Sequence, residues 1–210
     1  MKNCKYNHRI VETGEIEENC VIVKCCKSNK AVIFDPGDDA EKIINILQDM
    51  NADPVLILNT HGHYDHIGAI ERLRNHFKIP GKAHEKEEIY FLEPDKNYSI
   101  YGRKQISLKL DGYVSEKDDV KFGELSIKVI ETPGHTLGGV CYLIEDLLIA
   151  GDTLFAGSIG RTDLFGGDQN QLLNSINKKL AILPDATIVL PGHGRYTSIG
   201  QEKRFNPFLD

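Results

Sequence analysis

The chain has 210 residues, 40% of them hydrophobic and 27% charged, with a formal net charge of −6. That length and balance suit one domain over residues 1–210 with a sizeable core and leave little room for a second. Acidic and basic residues are interspersed, so no concentrated positive patch marks a nucleic-acid partner, and no apolar run is long enough to span a membrane.

In chain order, Met1 to Thr13 is polar and lacks the apolar stretch of a signal peptide, which points to a cytoplasmic protein. Val21 to Lys24 and Ala31 to Phe34 read as strands joined by a polar turn at Lys27-Ser28-Asn29-Lys30, and Asp35-Pro36-Gly37 stops the second. From Asp39, the helical spacing of Ile43, Ile44 and Leu47 predicts an amphipathic helix. Val55 to Asn59 reads as a buried strand, followed by a helix that starts near His66 and presents Ile67, Ile70 and Leu73. Glu85 to Glu93 reads as a short helix, and Asn97 to Gly123 carries no clear period. Leu125, Ile127 and Val129 alternate as in a half-buried strand. Val140 to Ile144 and Leu147 to Ala150 form a hairpin turned at Glu145-Asp146. A helix over Asp168 to Leu183 and a strand over Thr187 to Leu190 complete an α/β pattern.

The five cysteines (Cys4, Cys20, Cys25, Cys26 and Cys141) are odd in number and follow no framework or zinc-knuckle spacing. They read as thiols of a reducing compartment. A bridge between the adjacent Cys25 and Cys26 would be strained.

The chemistry concentrates in Thr60-His61-Gly62-His63-Tyr64-Asp65-His66, straight after a buried strand. Imidazole and carboxylate are costly to bury unpartnered, so such a cluster asks for a ligand. Pro133-Gly134-His135, Ala150-Gly151-Asp152 and Pro191-Gly192-His193 each end a later strand with a further donor. Ligands gather at the carboxyl ends of strands in open α/β sheets, so these segments should converge. His61, His63 and His135 give one metal three donors, and Asp65, His66 and His193 give a second metal three. Asp152, with two oxygens, can bridge them. Asp65 and Asp152 are the candidate catalytic carboxylates. Two such divalent ions would share and ionise a water. Zinc is the expected ion, and iron or manganese suits the same donors. His8 and His76 read as structural or surface residues, with His84 less certain because it too could end a strand. Tyr64 could face the pocket or pack on its helix. Asp35 reads as a turn residue or an orienting partner for a metal-bound histidine.

Thr-His-x-His-x-Asp-His at 60–66, with His135, Asp152 and His193, resembles the signature of the metallo-β-lactamase superfamily. The resemblance covers nearly the whole chain and implies an αββα sandwich with the metals at one edge. Gly151-Asp152-Thr153-Leu154-Phe155 and Gly157 to Leu164 resemble the glyoxalase II-like (hydroxyacylglutathione hydrolase-like) group. Pro191-Gly192-His193-Gly194, Gly200 to Lys203 and Asn206-Pro207-Phe208 are similar to its short, single-domain members. In that group a metal-bound hydroxide attacks a thioester such as S-lactoylglutathione, and Arg161 matches a substrate-contacting basic position. A structural ion pair is the competing role for Arg161. Full-length members carry a C-terminal helical extension for glutathione that has no counterpart here, so the thioester chemistry carries over better than the identity of the thiol.

The resemblance leaves rivals. Persulfide dioxygenases resemble the same group, share a Gly-Arg-Thr-Asp segment and hold one iron, here by His61, His135 and Asp152. A lactonase, β-lactamase or phosphodiesterase of the same fold is a second rival, and a metal-binding module without turnover is a third. The sequence carries no signal for an oligomeric state.

Overall fold

The computed structural model describes residues 5–209. One sheet holds β1 (Tyr6–Thr13), β2 (Glu18–Cys25), β3 (Lys30–Phe34), β4 (Asp53–Leu58), β5 (Gly81–Ala83) and β6 (Gly112–Tyr113) in that spatial order. β1 to β3 run antiparallel, and β3 to β6 run parallel. α1 (Ala40–Asp49), α2 (Tyr64–Ile67), α3 (Ile70–Phe77) and α4 (Glu88–Leu92) lie among these strands in sequence.

The second sheet uses β7 (Val120–Phe122), β8 (Leu125–Glu131), β9 (Val140–Ile144) and β10 (Leu147–Gly151). A small hairpin of β11 (Leu154–Phe155) and β12 (Ser158–Ile159) follows, then α5 (Gln169–Ser175), β13 (Ile188–Pro191), β14 (Thr197–Ser198) and α6 (Ile199–Phe205). Its spatial order is β14-β13-β10-β9-β8-β7.

Strand alternation builds the layers. In β2, Cys20 and Ile22 face a cluster with Ile43, Leu47, Ile70 and Leu73 of α1 and α3. Val21, Val23 and Cys25 face the other way, into a cluster with Tyr142, Ile127 and Ile149 of the second sheet. In β10, Leu147 and Ile149 join that inter-sheet cluster, whereas Leu148 and Ala150 pack with Leu172 of α5 and Ile199 of α6. Three apolar clusters between four layers make an αββα sandwich. Strands buried on both faces are near-continuously apolar, which is why β2, β3 and β10 stand out in the sequence.

Some elements differ from the sequence reading. The helix expected from His66 is broken into α2 and α3 around Gly68-Ala69. A Cβ at Gly68 would stand 2.3 Å from the Gly37 carbonyl oxygen, so the chain turns where only glycine clears its neighbour. The helix over 168–183 is α5 followed by a π-helical turn, Ile176–Leu180. β1 was hidden by its half-exposed, polar character, and α6 by its shortness. Cys20, Cys25 and Cys141 are buried free thiols. Cys26 is disulfide-bonded, which corrects the expectation of a thiol there, and Cys4 lies outside the described residues. Among the described residues, no helix is long and apolar enough to cross a membrane.

Candidate metal centre

Sheet topology brings the donors together. β10 runs antiparallel to β9, and so does β8, so β8 and β10 point the same way; β13 runs parallel to β10. His135, Asp152 and His193 therefore leave the same end of the second sheet. The first sheet is tied to that edge by the Val140 N–H, which donates to the Thr60 carbonyl at 2.9 Å. The loop after β4 thus opens onto the ends of β8, β10 and β13.

Local contacts shape this loop. A Cβ at Gly62 would sit 2.6 Å from the Tyr90 Cβ, so only glycine lets the loop lie against α4. The Gly62 N–H donates to Glu87 Oε2 at 2.8 Å, and the Gly138 N–H donates to Glu87 Oε1 at 2.7 Å. The fully buried Glu87 thereby clamps the His61-His63 loop to the loop that carries His135. Burial pushes its carboxyl up to about 7, against the pull of the Gly138 and Gly62 hydrogen bonds. On the other side, Asn19 donates from its amide to the carbonyls of Pro191 (3.0 Å) and Gly194 (2.9 Å), holding the segment that carries His193.

The seven expected residues converge. His61, His63 and His135 form one group and Asp65, His66 and His193 another, with donor atoms in each within 4.8 Å of one another. His135 Nε2 lies 3.0 Å from His63 Nδ1. Asp65 Oδ2 lies 3.0 Å from His193 Nε2 and 3.3 Å from His66 Nε2. Asp152 stands between the groups: Oδ1 is 3.5 Å from His66 Nε2, and Oδ2 is 3.7 Å from His135 Nε2 and 3.9 Å from His193 Nε2. Tetrahedral bonds of about 2.1 Å put two ligands of one ion about 3.4 Å apart, and these separations bracket that value. His61 Nε2, His66 Nε2 and Asp152 Oδ1 are buried with no hydrogen-bond partner, a costly arrangement for polar atoms with nothing to bind. The donor set fits two cations.

Of the nitrogens facing away from the centre, those of His61, His66, His135 and His193 lie beside protein oxygens, which orients the rings, whereas His63 Nε2 has no partner. Thr60 Oγ1 lies 3.1 Å from His61 Nδ1 and donates to Asp35 Oδ2 at 2.6 Å. Asp35 Oδ2 also lies 3.3 Å from His66 Nδ1, so Asp35 takes the orienting role. Glu18 Oε1 lies behind it, 3.7 Å from the same nitrogen. Burial raises the Glu18 carboxyl well above the usual range. The carbonyls of Arg161 and Ile16 stand 2.7 Å from His135 Nδ1 and 3.1 Å from His193 Nδ1.

Protonation separates the groups. Burial, reinforced by neighbouring imidazoles, holds His61 well below the ordinary histidine value, and burial drives His63 down to about 3. Burial also opposes charge on His66, but Asp65 and Asp152 overcome it and hold that ring well above the ordinary value. His193 is raised against burial by its hydrogen bond to Asp65. Asp65 is pulled well below the carboxylate range, against burial, by His66 and His193.

The centre opens into a cleft of about 370 Å³ lined by Ile16, Tyr64, Tyr98, Arg161 and Leu164 beside the donors. A second cleft of about 430 Å³ shares Ile16, Tyr64 and Asp65 and runs toward Tyr101 and Arg103. Tyr64 therefore faces the pocket. Arg161 lines the metal cleft, yet its guanidinium pairs with Asp163 through bonds of 2.8 and 2.7 Å. His8 and His76 stay outside the centre. His84 follows β5 as a strand end, but its Nδ1 accepts from the Lys86 N–H at 3.2 Å and it joins neither group. Glu87, Glu18, Asn19 and Tyr98 have no signal in the sequence: each is an isolated polar residue whose burial or position only the fold sets.

An αββα sandwich with His and Asp donors at one edge defines a metal-dependent hydrolase fold. The sequence profile of the metallo-β-lactamase superfamily matches residues 13–193, and the chain belongs to that superfamily. It is 35% identical over 209 residues to the hydroxyacylglutathione hydrolase GloC of Haemophilus influenzae, covering 97% of this chain and 98% of that protein. The crystal structure of the BLEG-1 B3 metallo-β-lactamase superposes with a TM-score of 0.92 at 41% identity, over 97% of this chain and 99% of that one. TTHA1623, crystallised in a di-iron-bound form, superposes with a TM-score of 0.84 at 33% identity, over 96% of this chain and 100% of that one.

Proposed function

We propose that this chain hydrolyses small thioesters, S-lactoylglutathione among them, at a pair of divalent metal ions. The observation that carries this is Asp152, whose two oxygens face two complete triads, His61-His63-His135 and Asp65-His66-His193. Ions held there would lower the pKa of a shared water toward neutrality and polarise the scissile carbonyl. Zinc is the expected pair, and the di-iron relative makes iron the next candidate. Asp65 and Asp152 supply the negative charge of the centre, and the buried Asp35 and Thr60 hold the rings that face it. The two clefts meeting at Tyr64 and Asp65 give separate room for an acyl group and a thiol. Arg161 contacts the substrate if its pairing with Asp163 is exchanged for a substrate anion.

The thioester preference rests on GloC, alike over nearly its whole length, and on the sequence resemblance to the same group. BLEG-1 makes β-lactams the competing substrate class. A mononuclear iron dioxygenase would need only His61, His135 and Asp152, leaving Asp65, His66 and His193 a surplus triad. Metal analysis of the purified protein, with turnover of S-lactoylglutathione, a β-lactam and glutathione persulfide, tests the reading. Two ions per chain with thioester cleavage are expected. One ion with oxygen uptake on the persulfide would replace hydrolysis by oxidation, and β-lactam turnover alone would overturn the substrate class.

A further inference from the structure

Two tyrosines reach the backbone of Phe165 from α4 and the segment after it, with opposite polarity. Tyr90 is fully buried, and its hydroxyl donates to the Phe165 carbonyl at 2.8 Å. Tyr98 does the reverse: its hydroxyl oxygen accepts the Phe165 N–H at 2.7 Å. The Tyr90 proton is therefore used inside the protein. No group among the described residues accepts the Tyr98 proton, and the Tyr98 side chain lines the metal cleft beside His63, His135 and Asp152. A phenol with its oxygen anchored and its proton unassigned is a donor aimed at whatever enters the cleft.

The chain holds Tyr98 there at a cost. Its backbone is left-handed, φ 67° and ψ 9°, a region that non-glycine residues occupy only when their surroundings impose it. Those surroundings are unusually fixed: Asn97 and Ser99 on either side are fully buried. The Asn97 amide donates to the carbonyls of Tyr90 (2.7 Å) and Ile106 (2.9 Å), and its side-chain oxygen accepts the Ser99 N–H at 2.9 Å. The Asn97 carbonyl accepts the N–H of Tyr64, the first residue of α2, which also carries Asp65 and His66. The Tyr98 ring then meets His63 edge to face, with centroids 5.6 Å apart. Fixed neighbours and a left-handed backbone thus keep the Tyr98 side chain at the wall of the metal cleft.

We propose that Tyr98 is a catalytic residue: its O–H hydrogen-bonds the carbonyl oxygen of the substrate as negative charge develops there. This rests on the hydrolase reading above. Hydroxide forms a bond to the carbonyl carbon, and the π pair moves onto the oxygen facing Tyr98. Collapse re-forms the C=O bond, breaks the C–S bond and sends that electron pair out on the thiolate. The acid product loses its proton to the thiolate or solvent. Tyr98 keeps its own proton throughout and contributes only where charge appears, which lowers the barrier without tightening substrate binding.

The variant Tyr98→Phe keeps the ring against His63 and removes the donor. On any ester or thioester that the wild type cleaves, kcat should fall about 10²-fold, the usual cost of losing one oxyanion donor. KM, metal content and melting temperature should stay near wild-type values. A fall in kcat smaller than tenfold, or a fall accompanied by loss of metal, would overturn the proposal. A second measurement is independent of turnover: calorimetric affinity for an alkyl phosphonate, whose tetrahedral anionic oxygens imitate the attacked carbonyl. Tenfold or greater weakening in Tyr98→Phe is expected, and equal binding by both proteins would refute the role. If the wild type cleaves no thioester, the function reading fails alone, and phosphonate binding still decides the role of Tyr98.

Discussion

His61, His63 and His135 occupy a buried corner between two loops clamped by Glu87, whereas Asp65, His66 and His193 form a more open cluster in which His193 keeps 28% of its side chain exposed. Two members of the first triad resist protonation: burial holds His61 and His63 below the ordinary histidine value, so their nitrogen lone pairs are free near neutral pH. The second triad is held together by protons, with His66 and His193 raised by the carboxylates around them. A cation bound at the second triad would have to displace those protons, whereas His61 and His63 hold none to displace. The difference teaches that two sets of similar donors need not bind metal alike. His61 and His63 would accept an ion as they stand, and the second triad would trade an internal ion-pair network for one.

Asp152 faces both triads, so its loss should erase the comparison altogether. In Asp152→Ala both ions should bind more weakly, and hydrolysis should fall by at least about 10²–10³-fold, as when a preorganised charge is removed from a reaction centre. Metal content and kcat measured on the same preparation check this. Normal turnover in that variant would remove the bridging carboxylate from the mechanism.

Acid should sharpen the comparison. His66 and His193 have raised folded pKa values, so in the metal-free chain their stabilisation is complete below the ordinary histidine value and is lost as pH rises through the folded values. Asp65, depressed, stabilises above the ordinary carboxylate value and loses that contribution as pH falls through its folded value. Metal loading has the opposite dependence to the two histidines. As pH falls through their folded values, the affinity of the second triad should drop about tenfold per pH unit for each proton regained, whereas His61 and His63 stay unprotonated over that range. Metal content after dialysis at stepped pH should pass through a one-ion plateau. Simultaneous release of both ions would show that the triads do not differ as described.

The candidate donors were readable in the sequence because each sits beside local punctuation. His61, His63, Asp65 and His66 crowd one loop, and His135, Asp152 and His193 each follow a strand and a glycine. The α/β pattern was readable for a related reason, since β2, β3 and β10 are apolar on both faces, whereas the four-layer arrangement followed only from the family resemblance. What supports the donors was not readable. Glu87 sits in Glu85-Lys86-Glu87-Glu88, the charged start of the short helix expected over Glu85 to Glu93, and nothing local marks the one carboxylate of that run that is fully buried. Tyr98 lies in the segment without a clear period, where hydrogen bonds from Asn97, not apolar spacing, set the backbone. Asp35 stood between, identifiable as a strand-end carboxylate but assignable to His66 only once β3 and β4 were paired.

Glu87 allows the first triad to be disturbed without touching a donor. In Glu87→Gln the side chain keeps its shape, but one carboxylate oxygen becomes an NH2 group that must face either the Gly62 or the Gly138 N–H. Donor then meets donor, and one loop is released from the clamp. Partners one step behind a metal ligand typically contribute 10–100-fold to affinity. At pH 8, chelator competition on the wild type should resolve a tighter step for the first triad and a weaker one for the second. Glu87→Gln should loosen the tighter step by about 10–100-fold and leave the weaker one in place, because Asp65, His66 and His193 are held by Asp35, Asn19 and the Ile16 carbonyl instead. Movement of the weaker step alone would place the clamp on the wrong triad. A fall in melting temperature with both steps unchanged would reduce Glu87 to a packing residue.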